Sequence, residues 1–179
     1  MTKRLPNLER LLLDADVNVE LEPLLKAIGF RPTFALHVDV NIRSDTDLLR
    51  WARRHRHILV CHDKFKDKQT RLELYPELHR RGGKIIQIGG GPAQDPYKSL
   101  GKILLHREKW IEWFTTHDGI AIVHEQGWTP RDAHKLYTIV QKEMPLEVTP
   151  VQTLRSRKST RQQAKRRPKK LPPPEQQRF

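Results

Sequence analysis

The sequence has little cysteine and no long apolar run. Cys61 is its only cysteine, which excludes an internal disulfide and any CxxC zinc or thioredoxin motif. No apolar stretch approaches the roughly 20 residues of a membrane-spanning helix. The first ten residues, MTKRLPNLER, also lack the apolar segment of a secretory signal. We therefore expect a cytoplasmic protein with no membrane partner.

Aromatic residues are also few, at 7%, and acidic residues are outnumbered by basic ones. The 179 residues include 34 Lys or Arg and 21 Asp or Glu, which gives a net charge of +13. So large a positive charge favours a polyanionic partner, because Lys and Arg release condensed counterions when they bind phosphates. RNA is the partner we expect, and a purely solubilising role is the alternative.

The basic excess lies at the C-terminal end of the chain. Ten Lys or Arg between residues 151 and 179 stand against one acid, so this segment carries +9 of the net charge. It has almost no large apolar residue, so burial cannot offset its ordering entropy. We predict a folded domain over residues 1–148 and a disordered Lys/Arg/Pro-rich tail over 149–179. The tail residues expected to contact nucleic acid are Arg155, Arg157, Lys158, Lys165, Arg166, Arg167, Lys169 and Lys170.

The rest of the chain alternates short apolar strands with amphipathic helices. Strands are predicted over LERLLLDADV, TFALHV, HILVCHD, KIIQIGGG and IAIVHE. The helices between them include one long helix that begins at Asp95 and a final helix with Thr129 as its cap and Pro130 in its first turn. This alternation predicts right-handed crossovers. We expect an α/β fold in three layers, with helices on both faces of a mostly parallel sheet of four to five strands.

Acidic residues cluster at the predicted carboxyl ends of the strands. Asp14 and Asp16 follow the first strand, Asp63 ends the third, and Asp45 and Asp47 open the helix between the second and third. Ligands of such sheets bind at the carboxyl ends of the strands, where the strand order reverses. Carboxylates gathered there repel one another unless a divalent cation binds them. Oxygen ligands without Cys or paired His suit Mg²⁺ or Mn²⁺ rather than zinc.

Each of these acids also has an ordinary structural explanation. Asp47 can complete a helix cap, and Asp45 can interact with the helix dipole. Asp16 can be a solvated turn residue. Asp14 and Asp63 are harder to explain in this way, because each ends a buried strand, where an acid without a partner is costly.

The segments LLLDADV and SDTDLLRWARRHRHILVCHDKF resemble the small stand-alone members of the PIN-like nuclease superfamily. In that family an Asp ends the first strand, an acidic cluster opens a helix with an L..WA face, and another Asp ends the next strand. The resemblance covers residues 11–90 and does not reach the tail. It implies a PIN-like α/β/α fold and Mg²⁺- or Mn²⁺-dependent cleavage of single-stranded RNA. It also implies an antitoxin protein as a partner, because the family often works in toxin–antitoxin pairs, although many stand-alone members have no assigned activity.

The resemblance assigns roles to five acids. Asp14 is the first metal ligand, the pair Asp45 and Asp47 is the second acidic position, and Asp63 is the third. The expected catalytic residues are Asp14, Asp47 and Asp63, and Asp16 and Asp45 join them as expected metal ligands. Many relatives have a neutral residue where this chain has Asp16.

A second departure from the family pattern affects the number of metal ions. Phe65 stands where relatives have a further acid, and the next acid, Asp67, is displaced. The sequence therefore allows either one or two metal ions, and it does not indicate an oligomeric state. The implied reaction is metal-assisted hydrolysis, in which the metal generates hydroxide and stabilises the leaving 3′-oxygen.

Two neighbours of Asp63 are further candidates for the site. Lys64 is a candidate phosphate contact, and the alternative is a solvated loop lysine. His62 is a candidate proton shuttle. Because side chains alternate along a strand, His62 is expected to point away from the edge that Asp63 faces.

Three other functions remain open. The order Asp14, Ala15, Asp16 after an apolar strand is similar to the nucleophile and acid of haloacid-dehalogenase-type phosphatases, but Asn18 and the glycines after the fourth strand depart from that family. A receiver domain would use Asp63 as its phosphoacceptor, but it needs a Ser or Thr and a Lys at later strand ends. A non-catalytic RNA-binding or toxin-partner protein would need only the basic tail. Trp110, Trp113 and Trp128 are expected in the core rather than on a base-stacking surface.

Overall fold

The computed structural model describes residues 8–62, 64–90 and 95–144, all within a unit that ends at Met144. In these residues the chain forms one six-stranded sheet and six α-helices. The strands are β1 Arg10–Leu13, β2 Arg31–Phe34, β3 Ile58–Cys61, β4 Lys84–Ile88, β5 Gly119–Val123 and β6 Trp128–Asp132. The helices are α1 Leu21–Ala27, α2 Asp45–Arg54, α3 Lys68–Arg81, α4 Pro96–Leu105, α5 Arg107–Thr116 and α6 Ala133–Glu143, with a short 3₁₀ helix at Ala35–His37.

The sheet is mostly parallel, with the strand order β2-β1-β3-β4-β5-β6. Strands β1 to β5 are parallel, and β6 pairs antiparallel with β5. The chain runs outward from β1 to β2 and then crosses β1 to reach β3. The strand order therefore reverses between β1 and β3, which is where sheets of this order bind ligands.

The core lies on both faces of the sheet. Along β1, Leu11 and Leu13 contribute to one apolar cluster, and Leu12 contributes to the other. Helices α1, α4 and α5 supply the first cluster, whereas α2, α3 and α6 supply the second. A strand covered on both sides needs apolar residues at every position, which explains the unbroken leucines of β1. The prediction of a mixed α/β fold with a mostly parallel sheet is confirmed.

The sixth strand was predicted wrongly as the start of a helix. Thr129 and Pro130 lie in β6, and α6 begins only at Ala133. The cap of α6 is Asp132, whose carboxylate accepts the His134 N–H at 2.8 Å. Proline is tolerated in β6 because this is an edge strand, where one missing N–H need not break a ladder. The sheet consequently has six strands rather than four to five.

Two further elements differ from the predicted bounds. The predicted strand TFALHV extends only to Phe34, because the chain then turns into the 3₁₀ helix. The predicted long helix begins as expected, with the Asp95 carboxylate accepting the Tyr97 N–H at 2.9 Å. It divides at His106, whose Nε2 lies 3.1 Å from the carbonyl oxygen of His124. The two halves, α4 and α5, together cover one face of the sheet.

The expected burial of the tryptophans is confirmed. Trp110 is fully buried, and Trp113 and Trp128 pack half-buried against the same cluster. In the described part of the chain, no helix is both long and apolar enough to cross a membrane. The predicted basic tail at 149–179 and the predicted domain boundary lie outside the described residues.

A buried carboxylate links α2 to α3. Glu77 is 3% exposed, and its Oε2 accepts a hydrogen bond from Arg50 Nη2 at 3.3 Å. Arg81 Nε lies 3.4 Å from Oε1 of the same carboxylate. The hydrogen bond from Arg50 is the largest cause of a Glu77 pKa below the usual 4.5, and it outweighs the opposing effect of burial.

This ion pair predicts acid sensitivity. Because the Glu77 pKa is lower in the folded state, its stabilisation is complete above about pH 5 and is lost as the pH falls through the folded pKa. Glu77→Gln should remove about 1 kcal/mol at pH 7, since Arg50 is half exposed and solvent screens the pair. The variant should also flatten the decline in stability below about pH 5. Urea unfolding at pH 7 and at low pH measures both effects, with Glu73→Gln on the exposed side of α3 as the control. Equal acid loss in Glu77→Gln and the unsubstituted chain would contradict the expectation.

Candidate functional site

Asp14 lies at the carboxyl end of β1, between β2 and β3. It is 7% exposed. Its N–H donates to the carbonyl oxygen of Val60 at 2.9 Å, which extends the pairing of β1 with β3 by one residue. The Asp14 Oδ1 accepts the N–H of Ala15 at 2.6 Å. The sheet itself therefore fixes this carboxylate at the point where the strand order reverses.

Asp16 connects the turn after β1 to the end of β3. Its Oδ2 accepts the backbone N–H of His62 at 2.8 Å. The turn that carries both acids is closed by Val17, whose N–H donates to the carbonyl oxygen of Asp14 at 3.1 Å. The structure thus brings Asp14, Asp16 and the segment that follows β3 together at one edge.

The third predicted acid on this edge, Asp63, lies outside the described residues. Its two neighbours are described. The backbone N–H of His62 donates the 2.8 Å hydrogen bond to the Asp16 carboxylate. Lys64 is exposed. The role of Lys64 as a phosphate contact stays a prediction.

Asp45 and Asp47 lie in the first turn of α2, and their side chains point to different sides of the helix. Ser44 caps the helix by accepting the Asp47 N–H at 3.2 Å. The Asp47 carboxylate accepts a hydrogen bond from Arg50 Nη1 at 3.2 Å. Helical residues two positions apart differ by about 200° around the axis. The two carboxylates therefore point to different sides, and Asp47 is directed towards the Arg50–Glu77 ion pair.

His62 is buried beneath the edge. It is 5% exposed, and its Nδ1 lies 3.3 Å from the carbonyl oxygen of Ile88 in β4. A carbonyl can only accept, so Nδ1 carries the proton in this contact. Burial is the main cause of a lowered His62 pKa. The role of His62 as a proton shuttle stays a prediction.

The sequence reasoning missed Lys102. This lysine of α4 is 9% exposed, and its Nζ donates to the carbonyl oxygen of Gly89 at 2.9 Å. The Glu125 carboxylate lies 3.7 Å away. Lys102 lines a cavity of about 600 Å³ at the ends of β4 and β5. It thus places a cation on the same edge of the sheet as Asp14.

The glycines after β4 make room for this cavity. A Cβ at Gly89 would lie 2.1 Å from His124 Nδ1, and one at Gly90 would lie 3.0 Å from Lys102 Nζ. Lys102 could be recognised only from the structure. It shares the buried stripe of the helix with Ser99, and a lysine on such a stripe needs a polar partner in the interior.

The edge therefore combines two kinds of charge. Carboxylates lie over β1 and β3, and an amine lies over β4 and β5. Neighbouring strands are about 4.8 Å apart, so one extended ligand can reach both groups. Carboxylates can hold a divalent cation and an amine can hold a phosphate. Among the described residues alone, no three His, Cys, Asp or Glu side chains are grouped closely enough to hold a metal ion, and Asp63 is not one of those residues.

No family model, curated protein or solved structure matches this chain. The fold defines a mixed α/β protein with a mostly parallel sheet and an acidic edge between β1 and β3. The resemblance to PIN-like nucleases stays a prediction from the sequence segments LLLDADV and SDTDLLRWARRHRHILVCHDKF.

Proposed function

We propose that this chain is a metal-dependent hydrolase that cleaves phosphodiester bonds of single-stranded RNA and has a PIN-like α/β/α fold. The observation that carries the proposal is the hydrogen bond from the His62 N–H to Asp16, 2.8 Å long. It joins the acidic turn after β1 to the segment after β3, at the point where the strand order reverses. The acidic turn is thus held beside the segment that continues into Asp63, and a shared cation requires acids from two such segments.

The proposed metal ligands are Asp14, Asp16 and Asp63, with Asp45 or Asp47 as a further ligand. These residues suit Mg²⁺ or Mn²⁺ because their carboxylates supply oxygen atoms, which both ions prefer as ligands. When bound, such an ion supplies hydroxide near neutral pH and offsets the charge developing on the phosphate. Asp47 is the weaker candidate, since Arg50 already occupies it.

The protein groups around the proposed metal centre hold the carboxylates in position and bind the RNA phosphates. The backbone contact with Val60 holds Asp14 in place, and the contact with His62 holds Asp16. His62 supports this position through its backbone N–H. Lys102 binds a phosphate beside the reacting one, and Lys64 is a second candidate for that role.

RNA as the substrate is supported by charge. The net charge of +13 favours a phosphate polymer. The antitoxin partner, membership in a toxin–antitoxin pair and a cytoplasmic location are proposed from the sequence alone. The tail residues between 155 and 170 are proposed as an additional RNA contact.

The residues after the later strands separate the alternatives. After β4 the described residues are Gly89 and Gly90, and after β5 they are His124, Glu125, Gln126 and Gly127. These positions do not supply the late acidic pair of a dehalogenase-type phosphatase. They also do not supply the Ser or Thr and the Lys of a receiver domain. A non-catalytic RNA-binding protein is the remaining alternative.

The test is cleavage of an end-labelled single-stranded RNA by the full chain. We expect products in Mn²⁺ or Mg²⁺, none in EDTA, and none from Asp63→Asn in any of these conditions. Cleavage that persists in EDTA, or intact RNA with every divalent cation, would count against the proposal. Hydrolysis of p-nitrophenyl phosphate that depends on Asp14 and Asp16 would instead favour the phosphatase.

A further inference from the structure

A basic groove lies at the edge of the sheet opposite the acidic one. It is a cavity of about 1040 Å³ where β3 and β4 begin. We define the basic groove by the side chains Arg53, Arg56, His57, Arg81, Lys84 and Arg107, which line it. Strands of four to five residues span about 15 Å, so the basic groove is separated from Asp14 by the full height of the sheet.

Acidic residues neutralise only part of this charge. Among the described lining residues the acids are Glu9 and Asp118, and Asp118 pairs with Lys84 at 2.9 Å. Arg81 lies near the buried Glu77 carboxylate, at 3.4 Å. The remaining guanidinium groups have no ion pair within the described part of the chain. They belong to Arg53, Arg56 and Arg107.

Arg56 occupies a backbone position that suits arginine poorly. Its φ is +59°, a left-handed conformation that glycine adopts at little cost and other residues adopt rarely. Arg56 directly follows the last residues of α2, where a left-handed conformation commonly ends a helix, and the His57 N–H donates to the carbonyl oxygen of Ala52 at 2.7 Å. At Arg56 the side chain contributes a positive charge to the basic groove.

Aromatic rings lie next to these cations. The Trp51 ring is half exposed and stacks on His55 with ring centroids 4.0 Å apart. The His57 ring, which lines the groove, lies 5.2 Å from Trp51. Positive grooves flanked by stacked rings are how proteins hold single nucleic-acid strands, with phosphates on the cations and bases on the rings.

Arginine fits this role better than lysine would. Its planar guanidinium matches a phosphate with two parallel hydrogen bonds and also stacks on aromatic faces. The Arg107 guanidinium already lies over the Phe30 ring, 4.8 Å from its centroid. This contact fixes the arginine in place and leaves its polar edge for a phosphate.

We propose that the basic groove is a second binding site for single-stranded RNA, with phosphates on Arg53, Arg56 and Arg107 and a base on the Trp51–His57 rings. The choice of RNA among phosphate polymers rests on the proposed function. The residues of the basic groove are different from those of the acidic edge and from the tail residues named in the sequence analysis. It holds the RNA on the folded part of the chain.

The first test compares two double variants of the full chain with the same loss of charge. Arg53→Gln with Arg107→Gln removes two groove cations, whereas Lys135→Gln with Lys142→Gln removes two exposed cations of α6. Fluorescence anisotropy with a labelled single-stranded RNA is measured over a salt series in EDTA, so that no cleavage occurs. The groove variant should bind about tenfold more weakly, and its salt slope should fall by roughly 1.4, about 0.7 for each lost phosphate contact. Equal binding by the two variants would overturn the proposal.

Arg56→Gly separates binding from folding. Glycine relieves the strained φ, so the melting temperature should be unchanged or higher. RNA binding should nevertheless weaken, because the charge is lost. An Arg56→Gly variant that binds RNA like the unsubstituted chain would contradict the proposed role of the basic groove.

Duplex RNA of the same sequence tests the single-strand assignment. Paired bases cannot stack on the rings, so the duplex should bind less tightly and should lose less affinity in the groove double variant. A duplex that binds as tightly, with the same loss, would overturn the assignment. Because these measurements are made in EDTA, their outcome is independent of cleavage, and failure of the nuclease proposal would be seen separately.

Discussion

Asp14→Asn is expected to lower metal-dependent cleavage of single-stranded RNA by roughly 10²- to 10³-fold, the range found when a charge-stabilising group is removed from an active site. Asn has the same shape as Asp, and its amide oxygen can still accept the N–H of Ala15. The backbone contact with Val60, 2.9 Å long, is unaffected. The substitution therefore removes the charge and keeps these two contacts.

The stability of Asp14→Asn separates a catalytic effect from a folding effect. Asp14 is buried close to Asp16, and removing one of two neighbouring negative charges relieves repulsion. We expect the free energy of unfolding to stay within about 1 kcal/mol or to rise, as is common when a functional acid is neutralised. Urea unfolding measures this effect. The control is Asp39→Asn, because Asp39 is exposed and should tolerate the change in both assays. Full activity in Asp14→Asn would exclude this carboxylate from the site.

Trp110→Ala should destabilise the protein by about 3–5 kcal/mol. The Trp110 side chain is fully buried, with ring centroids 6.3 Å from Phe30 and 6.2 Å from Phe114. Its Nε1 donates to the carbonyl oxygen of Ile103 at 2.9 Å. The substitution leaves a large cavity and removes the partner of a buried carbonyl. Both effects act in the apolar cluster that supports β1.

Matched variants control for the size of this effect. Trp113→Ala should cost less, because Trp113 is only half buried. Ile139→Ala should change the free energy of unfolding by less than about 0.5 kcal/mol, because Ile139 is 45% exposed. Urea unfolding of the three variants gives the comparison. A loss below about 1 kcal/mol for Trp110→Ala would show that the first face of the core is packed differently.

The parallel part of the sheet could be predicted because its strands are apolar throughout. β1 and β3 contribute residues to both apolar clusters, so neither strand has a polar face, and short apolar runs bounded by acids or glycines mark them. Helix starts such as Asp95 could also be predicted, since a cap and the first-turn proline are local signals.

β6 could not be predicted from local pattern. Thr129 and Pro130 together are a strong signal for a helix start, and the strand has no alternation of buried and exposed residues. What makes it a strand is its pairing with β5. Gly119 assists that pairing, because a Cβ there would lie 2.2 Å from the carbonyl oxygen of Arg131. Such a contact between distant residues is invisible to local propensity.

The acidic edge was predictable in part. Strand ends are visible in the sequence, so Asp14 and Asp16 could be assigned to one edge of the sheet. The strand order was not visible, and it is this order, with β3 beside β1, that allows the Asp16 turn to contact His62. Lys102 was missed because a single lysine on a helix is usually solvated. Only its burial, at 9% exposed, shows that it belongs to the interior.

Binding of Mn²⁺ to the full chain tests the central claim most directly, and titration calorimetry in the absence of RNA measures it. We predict saturable binding of at least one Mn²⁺ to the unsubstituted chain. The affinity should be roughly 10- to 100-fold weaker in Asp14→Asn, and in Asp39→Asn it should equal that of the unsubstituted chain. Absence of Mn²⁺ binding, or equal affinity in Asp14→Asn, would contradict an acidic metal site between β1 and β3.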